Sequence, residues 1–158
     1  MSLSGELRLR LGKVRAEMGR TGLSALYSSD PKDVLYLSGR DSGRVLVTGS
    51  EATLWVRDIY SELYDSTYSL RGYPLKVRAH SKEEVKAALR GLRSRAVGVS
   101  SAGSAESVRK TSGKRVVVSD AVRSARAVKT RLEIECISRS CRMAIVAWPQ
   151  NETSASGL

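Results

Sequence analysis

The chain contains no phenylalanine, a single histidine (His80), two cysteines and three prolines, and its acidic residues are outnumbered by basic ones, 16 to 27. Each shortage excludes something. Without Phe, and with no aromatic residues interleaved among basic ones on a strand, the chain lacks the usual platform for stacking nucleic-acid bases. One His and two Cys are too few for a structural zinc site. Cys136 and Cys141 lie five apart in a stretch that reads as helix, about 140° apart around its axis, and so do not bridge each other within it. They are expected as buried or half-buried free thiols of a reducing compartment. No apolar run approaches the roughly 20 residues that span a bilayer. The N-terminus has no apolar core of signal-peptide type, so a cytoplasmic address without membrane association is expected.

What is present is ordinary soluble-domain material. A chain of 158 residues, 41% hydrophobic and 27% charged, is long enough to bury roughly two-thirds of its unfolded surface as one domain. The net charge is +11, and most of the excess falls after residue 80. A field of that size favours polyanions or acidic protein surfaces. The basic residues are nevertheless scattered among acidic and apolar ones, with no block of five. That scatter argues against nucleic acid and for an acidic partner domain.

Helical and strand-like stretches alternate along the chain. Glu6–Gly22 reads as a helix, with Leu7, Leu11, Val14 and Met18 at helical spacing and Gly19 and Gly22 at its end. Leu23–Tyr27 reads as a strand. Ser28-Ser29-Asp30-Pro31 supplies a cap and a first-turn proline for a short helix through Leu37. Arg44–Thr48 and Ala52–Val56, joined by Gly49-Ser50-Glu51, read as a hairpin. Asp58–Leu70 is expected to be helical, Leu75–Ala79 a strand, and Ser81 the cap of a helix through Leu92, with Glu84 three residues on. Strands at Ala96–Val99 and Arg115–Val118 flank a helix over Ser104–Thr111, and Ser119-Asp120 starts a further helical stretch. A hairpin gives antiparallel pairing and β-α-β steps give parallel pairing. The expected fold class is α/β, a three-layer sandwich with a mixed five- or six-stranded sheet.

Three motifs in order carry a family resemblance. Val34-Leu35-Tyr36-Leu37-Ser38-Gly39 follows the first strand, Thr53-Leu54-Trp55-Val56 closes the hairpin, and Arg126-Ala127-Val128-Lys129…Glu133-Ile134-Glu135 comes last. Together they resemble the N-terminal, non-catalytic half of the creatinase/prolidase/aminopeptidase P group, over roughly residues 6–147. That group's first motif reads Tyr-Leu-Ser-Gly or close to it, and its junction reads Arg-x-x-Lys-x-x-x-Glu-Ile; Arg126, Lys129, Glu133 and Ile134 hold every one of those places. One motif departs. Relatives carry Asp-x-Arg-Tyr after the second hairpin strand, whereas this chain reads Arg57-Asp58-Ile59-Tyr60, so that only Tyr60 keeps its place.

The resemblance implies a ribonuclease H-like sheet motif and the following division: residues 5–124 the N-terminal domain, 125–148 a linker and junction helix, 149–158 a flexible tail. In the group's peptidases a separate pita-bread domain holds two divalent metals (Mn, Co or Zn) with two Asp, one His and two Glu. Those ligands would follow Trp148, and the ten residues after it offer only Glu152 as a carboxylate. The catalytic domain is therefore expected to be absent from this chain, which alone should not hydrolyse peptides. The resemblance marks Tyr60, His80 and Arg57 for the substrate entrance or an interface. It marks Arg126, Lys129, Glu133, Ile134 and Ile137 for the interdomain junction, and no residue as catalytic or metal-binding.

The remaining constellations are weaker. A Ser/His/Asp triad would need His80 as its base, at a strand-to-helix edge. Gly98-Val99-Ser100-Ser101-Ala102-Gly103-Ser104 follows a strand and opens a helix like a phosphate cradle, yet lacks the Walker ending and the Gly-x-Gly-x-x-Gly spacing. Glu83-Glu84 reads as first-turn charge favourable to the helix dipole. In the last helix Ile134, Ile137, Cys141, Ala144 and Ile145 form an apolar stripe. Two functions follow. One is an accessory domain of a metal-dependent Xaa-Pro peptidase that shapes the substrate entrance and forms a homodimer beside its own catalytic domain. The other is a binding module whose basic second half holds an acidic protein or nucleic acid.

Overall fold

Leu7, Leu11, Val14 and Met18 recur on one side of a helix, and in the computed structural model all four are fully buried along α1, Leu3–Arg20. Burial of each such side chain is worth roughly 1.5–3 kcal/mol before the entropy of ordering, enough to hold the helix to the sheet. The structure describes residues 3–57 and 72–147. They divide into two compact units, Met1–Ala127 and Val128–Leu158.

The first unit alternates strands and helices: β1 Ala25–Ser28, α2 Pro31–Ser38, β2 Arg44–Thr48, β3 Ala52–Val56, β4 Lys76–Ala79, α3 Lys82–Gly91, β5 Ala96–Val99, α4 Ala102–Ser112, β6 Arg115–Val118 and α5 Ala121–Ala127. The strands form a six-stranded sheet in the order β4-β3-β2-β1-β5-β6. β2 pairs antiparallel with both β1 and β3, whereas β1–β5, β3–β4 and β5–β6 are parallel. The sheet is thus mixed, as expected, and takes the larger of the two expected strand numbers. One core packs α1, α2 and α5 against one sheet face; a second packs α3 and α4 against the other around Tyr27, Trp55, Val97 and Val99.

Caps explain where elements stop. Gly22 takes φ +67, and Leu23 donates its N–H to the Met18 carbonyl at 2.8 Å. This left-handed closure ends α1 at Arg20 and draws Leu23 into the cap, so that β1 starts at Ala25, two residues later than the apolar run implies. Asp30 caps α2 by accepting from the Lys32 and Asp33 N–H groups. Ser81 accepts from the Glu84 N–H and starts α3. The cap of α4 is Ser101, which places that helix two residues earlier than expected. The helix expected over Asp58–Leu70, and with it Tyr60, lies outside the described residues.

The second unit contributes α6, Arg131–Ala147. Thr130 and Glu133 form a reciprocal cap: the Glu133 carboxylate accepts from the Thr130 N–H at 2.8 Å, and the Thr130 hydroxyl accepts from the Glu133 N–H at 3.2 Å. α6 buries no residue. The two free cysteines it carries are both exposed, not buried or half-buried as expected. Among the described residues their unit holds no second helix or strand for a thiol to pack against.

Candidate functional site

The two motifs farthest apart in sequence meet in the first unit. Tyr36 donates its hydroxyl to the Ala125 carbonyl at 3.2 Å. Arg126 places Nη1 3.2 Å from the Asp33 carboxylate, whose other oxygen accepts from the Ser28 hydroxyl at the same distance. Gly39, at φ +71, closes α2 with its N–H on the Leu35 carbonyl, and Ser38 donates to the Val34 carbonyl at 2.7 Å. Tyr73 donates to the Ser38 carbonyl at 2.6 Å. The Tyr36–Gly39 stretch is therefore a helix end clasped by tyrosines, and Arg126 ties α5 to the start of α2. Beneath them, the buried Glu6 carboxylate pairs with Arg10 at 2.9 Å, and the Arg10 guanidinium lies 5.0 Å from the Tyr36 ring centroid. This is scaffold chemistry. Its residues lock three helices together on one sheet face.

Arg57 and His80 are brought together elsewhere. β3 and β4 run parallel with Val56 opposite Ala79, so the residues that follow, Arg57 and His80, emerge side by side at the same sheet edge. The His80 N–H donates to the Val56 carbonyl and holds that register for one step beyond the strands. Both residues line an open cleft of about 910 Å3, with Ser29, Asp41, Arg44 and Trp55. Arg44 opens β2 opposite Trp55. The turn before it needs Gly43, which sits at φ +126 and would place a Cβ 2.6 Å from the Trp55 carbonyl oxygen. Trp55 is 2% exposed, and its indole N–H has no acceptor among the described residues.

The cleft is thus built from donors. Among the described residues two guanidiniums, an imidazole and an indole N–H share the cleft with one carboxylate, Asp41. Such a set can pair with carbonyl or carboxylate oxygens. No hydrogen bond among the described residues links a nucleophile there to a base and an orienting group. Among the described residues no group of three or more His, Cys, Asp or Glu could hold a metal ion, and no helix is long and apolar enough to cross a membrane.

Of the other expected junction residues, Lys129 is exposed, Glu133 serves the α6 cap, and Ile134 and Ile137 are 54% and 50% exposed. The sequence reading passed over Arg44, Trp55 and Gly43 as site residues. The only trace of them in the sequence was a turn glycine directly before a strand that ends up beside Trp55. The Thr130-x-x-Glu133 cap, by contrast, carries a plain local signature.

Comparison with solved structures finds the same fold in peptidases. The prolidase from Pyrococcus horikoshii OT3 superposes with a TM-score of 0.68 at 24% identity, over 85% of this chain and 40% of that one. An Xaa-Pro aminopeptidase from Streptococcus pyogenes gives 0.64 at 21%, covering 78% of this chain and 99% of its partner. The N-terminal domain of the cytoplasmic peptidase PepQ from Mycobacterium tuberculosis H37Rv gives 0.58 at 21%, with 73% and 97% covered. This chain therefore spans about 40% of the length of the Pyrococcus enzyme. Comparison with curated protein sequences returns no match. The family model of the creatinase/prolidase N-terminal domain matches residues 10–128. That stretch runs from α1 through the Arg126–Asp33 clasp, and on it the chain belongs to the creatinase/prolidase N-terminal domain family.

Proposed function

We propose that this chain is the non-catalytic N-terminal part of a metal-dependent Xaa-Pro peptidase of the prolidase or aminopeptidase P kind, acting in the cytoplasm as a homodimer. The observation that carries the reading is the family match over residues 10–128, on a domain whose β3/β4 edge gathers Arg44, Trp55, Arg57 and His80 in one donor-lined cleft. In this role the chain binds and orients; bond cleavage belongs to a catalytic domain of the same polypeptide. The two divalent ions of that chemistry, Mn, Co or Zn, would be held there, since the described residues of this chain offer no ligand set for them. Arg57 and His80 would form the wall of the substrate entrance. A short peptide brings a carboxylate and carbonyls that suit such donors.

The test is made on the product of the complete reading frame that contains these residues, assayed with Mn2+ on Xaa-Pro dipeptides and on longer peptides. Hydrolysis is expected from that product and none from residues 1–158 alone. Arg57→Met and His80→Ala are each expected to raise KM about tenfold with kcat nearly unchanged, the signature of lost uniform binding. A frame carrying no set of two Asp, one His and two Glu, or a complete product inert toward Xaa-Pro bonds, would overturn the reading.

A further inference from the structure

A second cleft has a different place in the fold. β1 and β5 are parallel neighbours, yet the helices that follow them part company. α2, after β1, joins the core on one face of the sheet, and α4, after β5, joins the core on the other. Where successive connections diverge in this way, the carboxyl ends of the strands leave a crevice, and open α/β sheets take ligands there. Here the crevice is a cleft of about 730 Å3, within the range of small-molecule sites. Ser29 and Asp30 from the end of β1 and Ser101, Gly103 and Ser104 from the end of β5 line it, with α3 forming the opposite wall.

Its lining brings donors and cations to the start of α4. Ser101 makes no side-chain bond to the first-turn N–H groups of α4; its hydroxyl meets the Ser104 hydroxyl at 3.0 Å instead. The first turn of an eleven-residue helix is thus left without a side-chain cap, with its partial positive charge facing the cleft. A Cβ on Gly103 would meet nothing within 4 Å, so the backbone there lies bare. Lys82 and Lys86, one turn apart on α3, and Arg44 bring three cations to the walls.

The second observation is Tyr27. It lines the cleft and is 5% exposed, and its hydroxyl has no hydrogen-bond partner among the described residues. Burial raises its pKa, with Arg44 pulling the other way, so the phenol stays a proton donor at neutral pH. Two carboxylates, Asp30 and Glu83, also line the cleft and keep their charge, so that Lys82, Lys86 and Arg44 leave it one positive charge in excess. Asp30 accepts from the Lys32 and Asp33 N–H groups, and Glu83 accepts from the Ser81 hydroxyl. A phenol donor that opens onto the cleft from an otherwise buried ring, an uncapped helix start and an excess of one positive charge together favour an oxyanion. The cleft is also several times larger than an inorganic ion needs.

We propose that the cleft between α3 and α4 binds a phosphorylated small molecule, its phosphate received by the first turn of α4, Lys82, Lys86 and the Tyr27 hydroxyl. This site is separate in role from the β3/β4 cleft and does not depend on the peptidase reading.

The test is a 1H–15N NMR titration of the full chain with sodium phosphate, replacing sodium chloride at constant ionic strength. Saturable shifts are expected at Ala102–Ser104 and in the first turn of α3. Tyr27→Phe, which keeps the ring and its packing, should weaken binding about tenfold or more, the effect of losing one donor to a charged acceptor. Lys82→Met with Lys86→Met should weaken it more than tenfold, whereas Lys13→Met on α1 should leave it unchanged. Phenyl phosphate should displace inorganic phosphate from the same amides. Shifts that spread over the basic surface without saturating, an affinity indifferent to the two-lysine variant with its spectrum otherwise intact, or exclusion of phenyl phosphate would each overturn the proposal.

Discussion

Removal of the Arg126 guanidinium should uncouple two helices joined through residues 93 positions apart in sequence. Its Nη1 lies 3.2 Å from Asp33 Oδ1, where Coulomb attraction is about 5 kcal/mol at an effective dielectric of about 20 and about 1.3 kcal/mol in bulk water. The side chain of Asp33 is 8% exposed and that of Arg126 is 36% exposed, so the pair lies between those limits. Desolvation takes back much of the gross attraction, and the exposed end of the arginine is screened. A net coupling of about 1.5–2 kcal/mol remains. Arg126→Met keeps the aliphatic stem packed and leaves the Asp33 carboxylate only the Ser28 hydroxyl and water. It should therefore lower Tm by about 4–8 °C for a chain of this size. Asp33→Asn also forfeits a favourable charge in the first turn of α2, so only a double-mutant cycle isolates the pair. The assay is urea denaturation of the wild type, both single variants and the double variant. A coupling below about 0.5 kcal/mol would refute the view that this clasp, and not the surrounding apolar contact, fixes α5 on α2.

Three further outcomes follow from other positions. Gly43→Ala should cost about 3 kcal/mol or more in urea denaturation, because its Cβ would fall 2.6 Å from the Trp55 carbonyl at φ +126; Gly12→Ala in α1, where a Cβ meets nothing within 4 Å, should stabilise by about 0.5–1 kcal/mol. Hydrogen bonding to Lys76, and then its charge, hold the Glu51 pKa below the ordinary glutamate value. A depressed folded pKa means stability that is complete above the unfolded pKa and lost as pH falls through the folded one; an NMR titration should find the Glu51 midpoint moved upward in Lys76→Met. Thr130→Ala should remove the α6 cap and raise amide exchange in its first turn about fivefold, the equivalent of about 1 kcal/mol, whereas Glu133→Gln, which preserves a capping box, should change it little.

The β3/β4 cleft and the α3/α4 cleft lie at the same end of the sheet and share Ser29 and Arg44. Antiparallel pairing makes this possible. β2 runs against β1, so the start of β2 stands beside the end of β1, and Arg44 projects where β1 releases the chain into α2. One guanidinium thus lines the β3/β4 cleft on one side and the proposed oxyanion cleft on the other. Under the proposed function, Arg44→Met in the complete reading-frame product should weaken phosphate binding and raise KM for Xaa-Pro substrates together, whereas Lys86→Met should affect the first alone.

Periodicity and capping chemistry were enough to place the hairpin strands Arg44–Thr48 and Ala52–Val56, the strands Ala96–Val99 and Arg115–Val118, the Asp30-Pro31 start of α2 and the Ser81 start of α3. These are local properties, since a 3.6- or 2-residue repeat and a side-chain oxygen on a nearby N–H act within one turn or one strand. The family motifs were legible for the same reason, and their order over nearly the whole chain pointed to the fold. Their physical purpose was not legible. That Arg126 belongs to Asp33, that Tyr36 reaches the Ala125 carbonyl, and that His80 stands beside Arg57 depend on strand order and on which face each helix covers, and both are settled by burial over long sequence separations. The same holds for Trp55 and Tyr27, whose polar atoms became conspicuous only when packing enclosed their rings and left a donor at each cleft without a partner.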